Sequence, residues 1–412
     1  MIAQAGSVPA PEAPERGWSG PAEAHSAGLY VHFPWCVRLC TYCDFDRQAS
    51  GFERIPRYVD AVCTEIRRQP RVPIHSVFFG GGTPSLMAAA QVRQILDAAR
   101  ERFALLPGAE VTLETNPDDT LGMDFPALRA AGVNRISMGV QSLDDRFLRL
   151  LGRRHDAAGA RAAVARVRAG GIGNLNLDLM FGLPGQTLED WRATLEGAIE
   201  LEPDHCSCYL LTIDERVPLG RDVARGRLRL PDDEALAEQY ELARTLLAEA
   251  GYEQYEISNW ARPGHASRHN LTYWRDEPYL GVGAGAASSW GGRRYKNTPV
   301  VRRYLAAIDA GRQDLQECET VDWLTAAQDC IALGLRLREG LDLARFERRF
   351  GVALECLAGE ELRLLRRAGV LEERDGRLRV ADRHLLVTNE VLARLRIAME
   401  GGSVRRRAPR ST

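Results

Sequence analysis

Lysine is almost missing from this chain: Lys296 is the only one, and every other Lys-or-Arg position is arginine. The arginines are spread along the whole length, so they reflect a bias of composition and not a phosphate-binding device. An excess of either charge is missing too. Lys+Arg 54 against Asp+Glu 56 leaves a net charge of -2, which excludes a global pull toward nucleic acid or anionic lipid. No long apolar run stands out either: residues 278–292, a conspicuous uncharged stretch, number only 15 and are rich in Gly, Ala and Ser, whereas a bilayer span needs about 20 apolar residues. The first 27 residues carry four Pro, three Gly and seven Ala, and their first charge is Glu12. They lack the basic start and apolar run of a signal peptide, so they are expected to form a flexible leader to a cytoplasmic protein. Nine cysteines in 412 residues are an odd number without an export signal, and a disulfide framework is not expected.

What is present is a repeat. Short apolar runs over 28–33, 76–79, 110–114, 135–140, 174–180 and 205–213 alternate with helical patterns, such as 91–103, where Val92, Ile95, Leu96, Ala99 and Phe103 mark one face. Strand, helix, strand repeated about six times predicts parallel strands joined by right-handed crossovers, hence a curved or barrel-like α/β sheet. Polar and glycine-rich punctuation follows the runs: Gly80-Gly81-Gly82-Thr83-Pro84, Asn116-Pro117, Gln141-Ser142 and Phe181-Gly182-Leu183-Pro184-Gly185. The site is therefore expected at the C-terminal strand ends. A long helix is predicted over 232–250. From 322 onward three helical patterns, a strand pair split by Asp375-Gly376, and a last helix near 390–399 predict a winged-helix-like α+β domain. The expected organisation is a leader (1–27), a core (28–215), a barrel extension (216–320), the C-terminal domain (321–400) and a loose tail (401–412).

Cys36, Cys40 and Cys43 fall within eight residues directly after the first strand, while the other six cysteines are scattered and read as buried small apolar residues. A Cys-x3-Cys-x2-Cys loop can bring three thiolates to one inorganic cluster, and soft sulfur suits iron-sulfur chemistry. With no fourth thiol nearby, one iron of a 4Fe-4S cluster is left open to an exogenous ligand.

The stretch Leu29-Tyr30-Val31-His32-Phe33-Pro34-Trp35-Cys36, continuing to Cys43-Asp44-Phe45, resembles the coproporphyrinogen-oxidase-like branch of the radical S-adenosylmethionine (SAM) superfamily, and within it the HemW-type heme chaperones. The likeness runs from about residue 28 to 395. It implies a partial (β/α)6 barrel followed by a domain like the HemN C-terminal one, and a cluster whose open iron binds SAM, with the cofactor supplying the radical chemistry. It implies further that Gly81, Gly82 and Thr83 cradle the methionine end of SAM, that Tyr30 covers it, and that Glu114, Gln141, Arg153 and Asp178 touch it, each lying in a matching motif: LETNP, GVQS, LGRRH and NLDLMFGLP. Arg154 stands beside Arg153 as the alternative inward cation.

Two departures discriminate within the branch. The oxidases carry a further cysteine two positions after the third, where this chain has Phe45. The heme chaperones carry a His-Asn-x-x-Tyr-Trp motif, here His269-Asn270-Leu271-Thr272-Tyr273-Trp274, whose imidazole can ligate heme iron and whose rings can line the porphyrin. A histidine common in related chains after the GAGA segment is replaced by Ala287. The resemblance thus implies a heme carrier delivering to respiratory proteins at the membrane. The competing readings are an oxygen-independent coproporphyrinogen III oxidase and an RNA-modifying radical SAM enzyme; the charge balance and the lack of a basic stripe count against the latter and against any nucleic-acid partner.

Overall fold

The computed structural model describes residues 26–403, so most of the expected leader and the end of the tail lie outside the described residues. The chain forms two compact units, one of residues 26–273 with 277–319, the other of residues 274–276 with the chain from 320 onward.

In the first unit β1 (Ala27–Phe33), β2 (Pro73–Gly81), β3 (Ala104–Thr115), β4 (Arg135–Gln141), β5 (Asn174–Phe181) and β6 (His205–Leu210) pair in chain order, every pair parallel. These are the six predicted strands, several a few residues longer than their apolar runs. Around them come β7 (Glu253–Glu256), β8 (Asn259–Ala261), β9 (Tyr279–Val282), β10 (Ala287–Trp290), β11 (Arg293–Asn297) and β12 (Leu315–Thr320). Among the described residues the sheet has twelve strands, ending at β12 on one side and β7 on the other. The barrel is therefore open. β9 runs parallel to β1, and β8 antiparallel to β6.

The crossover helices follow the sequence pattern closely. α1 (Ile55–Arg68) has proline in its first turn, where the missing N–H costs nothing, and buries Tyr58, Val59, Val62 and Ile66. α2 (Ala89–Arg102) buries Val92, Ile95, Leu96 and Ala99, the face that the spacing predicts. The helix Leu188–Ile199 starts with a reciprocal Thr187/Asp190 capping box.

Strand alternation decides what faces the barrel interior. On β4, Ile136, Met138 and Val140 are fully buried apolar residues, while Arg135, Ser137, Gly139 and Gln141 line an internal cavity. β5 repeats the arrangement, with Leu175, Leu177 and Leu179 on one face and Asn176, Asp178 and Met180 on the cavity. The apolar face packs under the helices, so the period of two leaves a polar lumen.

The second unit holds the helices Trp323–Gly334, Leu343–Phe350, Leu354–Arg367 and Thr388–Ser403, with a three-stranded sheet of β13 (Leu341–Asp342), β14 (Leu371–Arg374) and β15 (Arg377–Val380). β14 and β15 form the predicted hairpin, and its two turn residues Asp375 and Gly376 both take positive φ (51° and 73°), as a tight two-residue turn requires. Phe346, Leu362, Leu365, Leu378 and Leu395 make its core.

Candidate functional site

The loop after β1 is fixed at its base and along its length. Trp35 is fully buried and its indole N–H donates to the carbonyl of Ser50 at 3.0 Å, while Cys36 N–H donates to the carbonyl of Gln48 at 2.9 Å. Thr41 is tied to the chain beyond β4, its hydroxyl donating to the Leu150 carbonyl at 2.9 Å. Arg47 donates to the carbonyls of Cys40 and Cys43. The three cysteines thereby line one cavity of about 560 Å³. Thr83 donates its hydroxyl hydrogen to Cys36 Sγ at 3.4 Å, and Arg153 Nη1 donates to Cys40 Sγ at 3.5 Å. Burial pushes the Cys36 and Cys43 thiols up, so taking up a metal cluster would release their protons. Among the described residues no three His, Cys, Asp or Glu side chains are grouped to hold a single metal ion. A cuboidal cluster makes no such demand, because each thiolate binds a different iron, and the donor set fits it.

The glycines after β2 serve a close approach of two strand ends. Gly82 N–H donates to the Phe33 carbonyl and Thr83 N–H to the Trp35 carbonyl, both at 2.7 Å. A Cβ on Gly82 would stand 2.6 Å from the Trp35 oxygen, and one on Gly81, whose φ is +105°, would stand 2.4 Å from the His32 ring. Glycine is required at both positions for β2 to pass the cluster loop.

Opposite the thiols sit the strand-end polar residues. Gln141 takes φ 68° at a register irregularity between β4 and β5, is 9% exposed, and among the described residues its Oε1 has no partner. Left-handed backbone at a non-glycine residue beside an unsatisfied acceptor is the kind of strain found at ligand sites. Arg153 points inward, donating to Asn116 Oδ1 and the Gly139 carbonyl, whereas Arg154 pairs with Asp118 and Asp119. That assigns the inward cation to Arg153. Asp178 accepts from Asn176 at 2.8 Å and Ser137 at 3.2 Å, and burial raises its pKa. Glu114 accepts from Gly81 N–H at 3.2 Å; burial, and then the charge of Asp178, push its pKa up to about 8.

Glu114 is therefore protonated in the folded chain at neutral pH, whereas an unfolded glutamate ionises near 4.3. Across that window the native state holds the extra proton, so its contribution to stability falls as pH rises from about 4.5 to about 8. The melting temperature of the ligand-free protein is expected to drop over this range. Glu114→Gln should flatten that drop, and an unchanged pH profile would assign it to another group.

The short helix Arg268–Trp274 is capped by Glu110, whose carboxylate accepts the N–H of Arg268 and of His269, each at 3.1 Å. His269 is 1% exposed. Its Nδ1 is hydrogen-bonded to Ser76 Oγ at 2.9 Å and its Nε2 to the Tyr273 hydroxyl at 2.8 Å, and its ring stacks on Phe78. Burial lowers its pKa to about 3. Tyr30 bonds His32 Nδ1 at 3.0 Å and stacks on both Phe78 and His269.

Of the residues expected at the site, all three cysteines, Tyr30, Gly81, Gly82, Thr83, Glu114, Gln141, Arg153, Asp178, His269, Asn270 and Tyr273 line the one cavity. Trp274 does not. It is grouped with the second unit, where the Arg336 guanidinium lies 5.8 Å from its ring centroid; one helical step from Tyr273 turns its side chain onto another face. Phe45 lines the cavity at 63% exposure, and Ala287, exposed on β10, does not line it. The expectations passed over Arg135, buried in the same lumen. The signal was available: in Arg-Ile-Ser-Met-Gly-Val-Gln, apolar residues alternate with polar ones or glycine, placing Arg135 on the face of Ser137 and Gln141.

Comparison with known proteins bears on this geometry. A family model for the radical SAM superfamily matches residues 30–198, and one for the HemN C-terminal domain matches residues 324–387. The solved structure of coproporphyrinogen III oxidase (HemN) from Escherichia coli, itself a radical SAM enzyme, superposes with a TM-score of 0.76 at 24% identity over 90% of each chain, which shows the fold. Fold and family matches define a radical SAM protein. The sequence is 33% identical over 362 residues to the heme chaperone HemW of Lactococcus lactis, covering 88% of this chain and 95% of that one. It is also 38% identical over 333 residues to the mitochondrial radical S-adenosyl methionine domain-containing protein 1 of Mus musculus, covering 76% and 74%. The chain belongs to the HemW heme chaperone family. Among the described residues no helix is long and apolar enough to cross a membrane.

Proposed function

We propose that this chain holds a 4Fe-4S cluster on Cys36, Cys40 and Cys43, binds SAM across the strand ends, and carries heme to respiratory proteins at the membrane. The observation that carries the reading is the convergence of three thiols with Glu114, Gln141, Arg153 and Asp178 on a single cavity. SAM bound to such a cluster supplies radical chemistry. The protein's own part is to orient it: Arg153 offers a guanidinium that can fork onto a carboxylate, and Gln141 offers an acceptor that has no partner among the described residues. The heme assignment is supported by the family's named chaperones and by Phe45, which stands at the cavity where the oxidases carry a cysteine. His269, Asn270 and Tyr273 contribute to the cavity wall.

The test is a heme titration of the anaerobically reconstituted protein run beside a coproporphyrinogen turnover assay. Stoichiometric heme binding without protoporphyrinogen is the expected result. Sustained protoporphyrinogen formation with SAM consumed in proportion would replace the chaperone reading by the oxidase.

A further inference from the structure

Arg135 begins β4, 2% exposed, and lines the cavity. Among the described residues neither its Nε nor its Nη2 has a hydrogen-bond partner. A bare guanidinium in a protein interior is costly, and such groups are normally paired. The polar groups of the lumen are already committed. Asp178 feels the Arg135 charge, but its carboxylate is held by Asn176 and Ser137 and burial raises its pKa. His205 lies between Asn176 (2.6 Å) and the Tyr255 hydroxyl (2.8 Å). Glu114, kept protonated by burial, offers no neutralising charge at neutral pH. Among the described residues Arg153 has no ion pair either, but it is hydrogen-bonded to Asn116, the Gly139 carbonyl and Cys40. The Arg135 charge is answered by no ion pair among the described residues and by no bond at Nε or Nη2, so its missing partner is an anion brought by a ligand.

The position of Arg135 selects among anions. It lies six residues before Gln141 on the same strand, about 20 Å at the rise of a β-strand. The cluster loop leaves β1 after Phe33, whereas Arg135 stands in register with Thr112, Phe78 and Tyr30, three residues or about 10 Å before that point along the strands. The guanidinium starts below the level at which the cluster loop departs, a place suited to a carboxylate other than one chelated at the cluster. We propose that Arg135 binds a second carboxylate, a propionate arm of the porphyrin, and so anchors it in the cavity. This assignment rests on the heme reading above.

The test titrates hemin and hemin dimethyl ester into the parent chain and into Arg135→Met and Arg135→Lys, following the Soret band, with SAM affinity measured alongside. The parent is expected to prefer the free acid. Arg135→Met should weaken hemin binding about tenfold or more, the loss of a charge-assisted hydrogen bond, while leaving the ester and SAM unchanged, and Arg135→Lys should recover part of the loss. Removing an unanswered buried charge should also raise the melting temperature of ligand-free Arg135→Met, the reverse of what loss of a structural arginine does. Equal binding of acid and ester by the parent overturns the assignment, as does a loss shared equally by both ligands or a loss confined to SAM. A parent chain that binds neither hemin nor ester overturns the heme reading itself, and the anchor falls with it.

Discussion

Cys40→Ala should empty the cluster site. Iron in the anaerobically reconstituted protein is expected to fall from about four per chain, the content of one cubane, to background, and formation of 5'-deoxyadenosine from SAM to vanish with it. The size of the effect follows from the ligand count. Three cysteines line the cavity and no fourth stands in reserve, since Cys206 and Cys208 are buried on β6 and do not line it. Burial pushes the Cys206 thiol up to about 12 and the Cys208 thiol higher than usual; neither is poised to become the thiolate that metal binding requires. Cys206→Ala and Cys208→Ala should therefore keep full iron content and the cluster's electron paramagnetic resonance signal. Iron lost in either of that pair would mean that the ligands are misassigned.

The six-strand core was readable because each strand carries an apolar run, and four of the six are followed by glycine-rich, Asn-Pro or Gln-Ser punctuation at the C-terminal end. The cluster loop was readable because three cysteines within eight residues, directly after a strand, form a soft-metal donor set that packing alone does not call for. What the sequence concealed is where side chains end up once strands are paired. Gly81 and Gly82 read as a ligand cradle, yet the atoms that forbid a Cβ there belong to Trp35, Phe33 and His32 of the neighbouring chain segment. Arg153 and Arg154 are indistinguishable as letters and separate only through the Asp118 and Asp119 that hold Arg154 outside. The alternation on β4 puts Arg135 on the face of Ser137 and Gln141, but only the packed structure shows that this face lines the cavity and that two nitrogens of the guanidinium have no partner among the described residues. The strands 253–256, 259–261 and 279–320 were not predicted individually because they are short and lack a clean period of two.

His269→Ala is expected to lower the stability of the ligand-free protein by about 3 kcal/mol or more, read as a fall in melting temperature at pH 7. The motif suggested an iron ligand, but the surroundings of this ring are those of a packed residue. Its face lies on Phe78 with ring centroids 5.1 Å apart, a Cβ on Gly28 would sit 3.2 Å from it, and both nitrogens are hydrogen-bonded. Truncation leaves a ring-sized void and strands two hydroxyls, those of Ser76 and Tyr273. His269→Phe should refill the void yet keep the cost of the stranded hydroxyls. The pH profile gives an independent reading: with a folded pKa of about 3, below the ordinary 6.5, the unfolded chain takes the proton first as pH falls. Stability should therefore decline from about pH 6.5 toward 3, and His269→Phe should lose this part of the slope. A His269→Ala protein that melts like the parent while its heme-bound Soret band shifts would instead make this imidazole the iron ligand, free to leave Tyr273 when heme arrives.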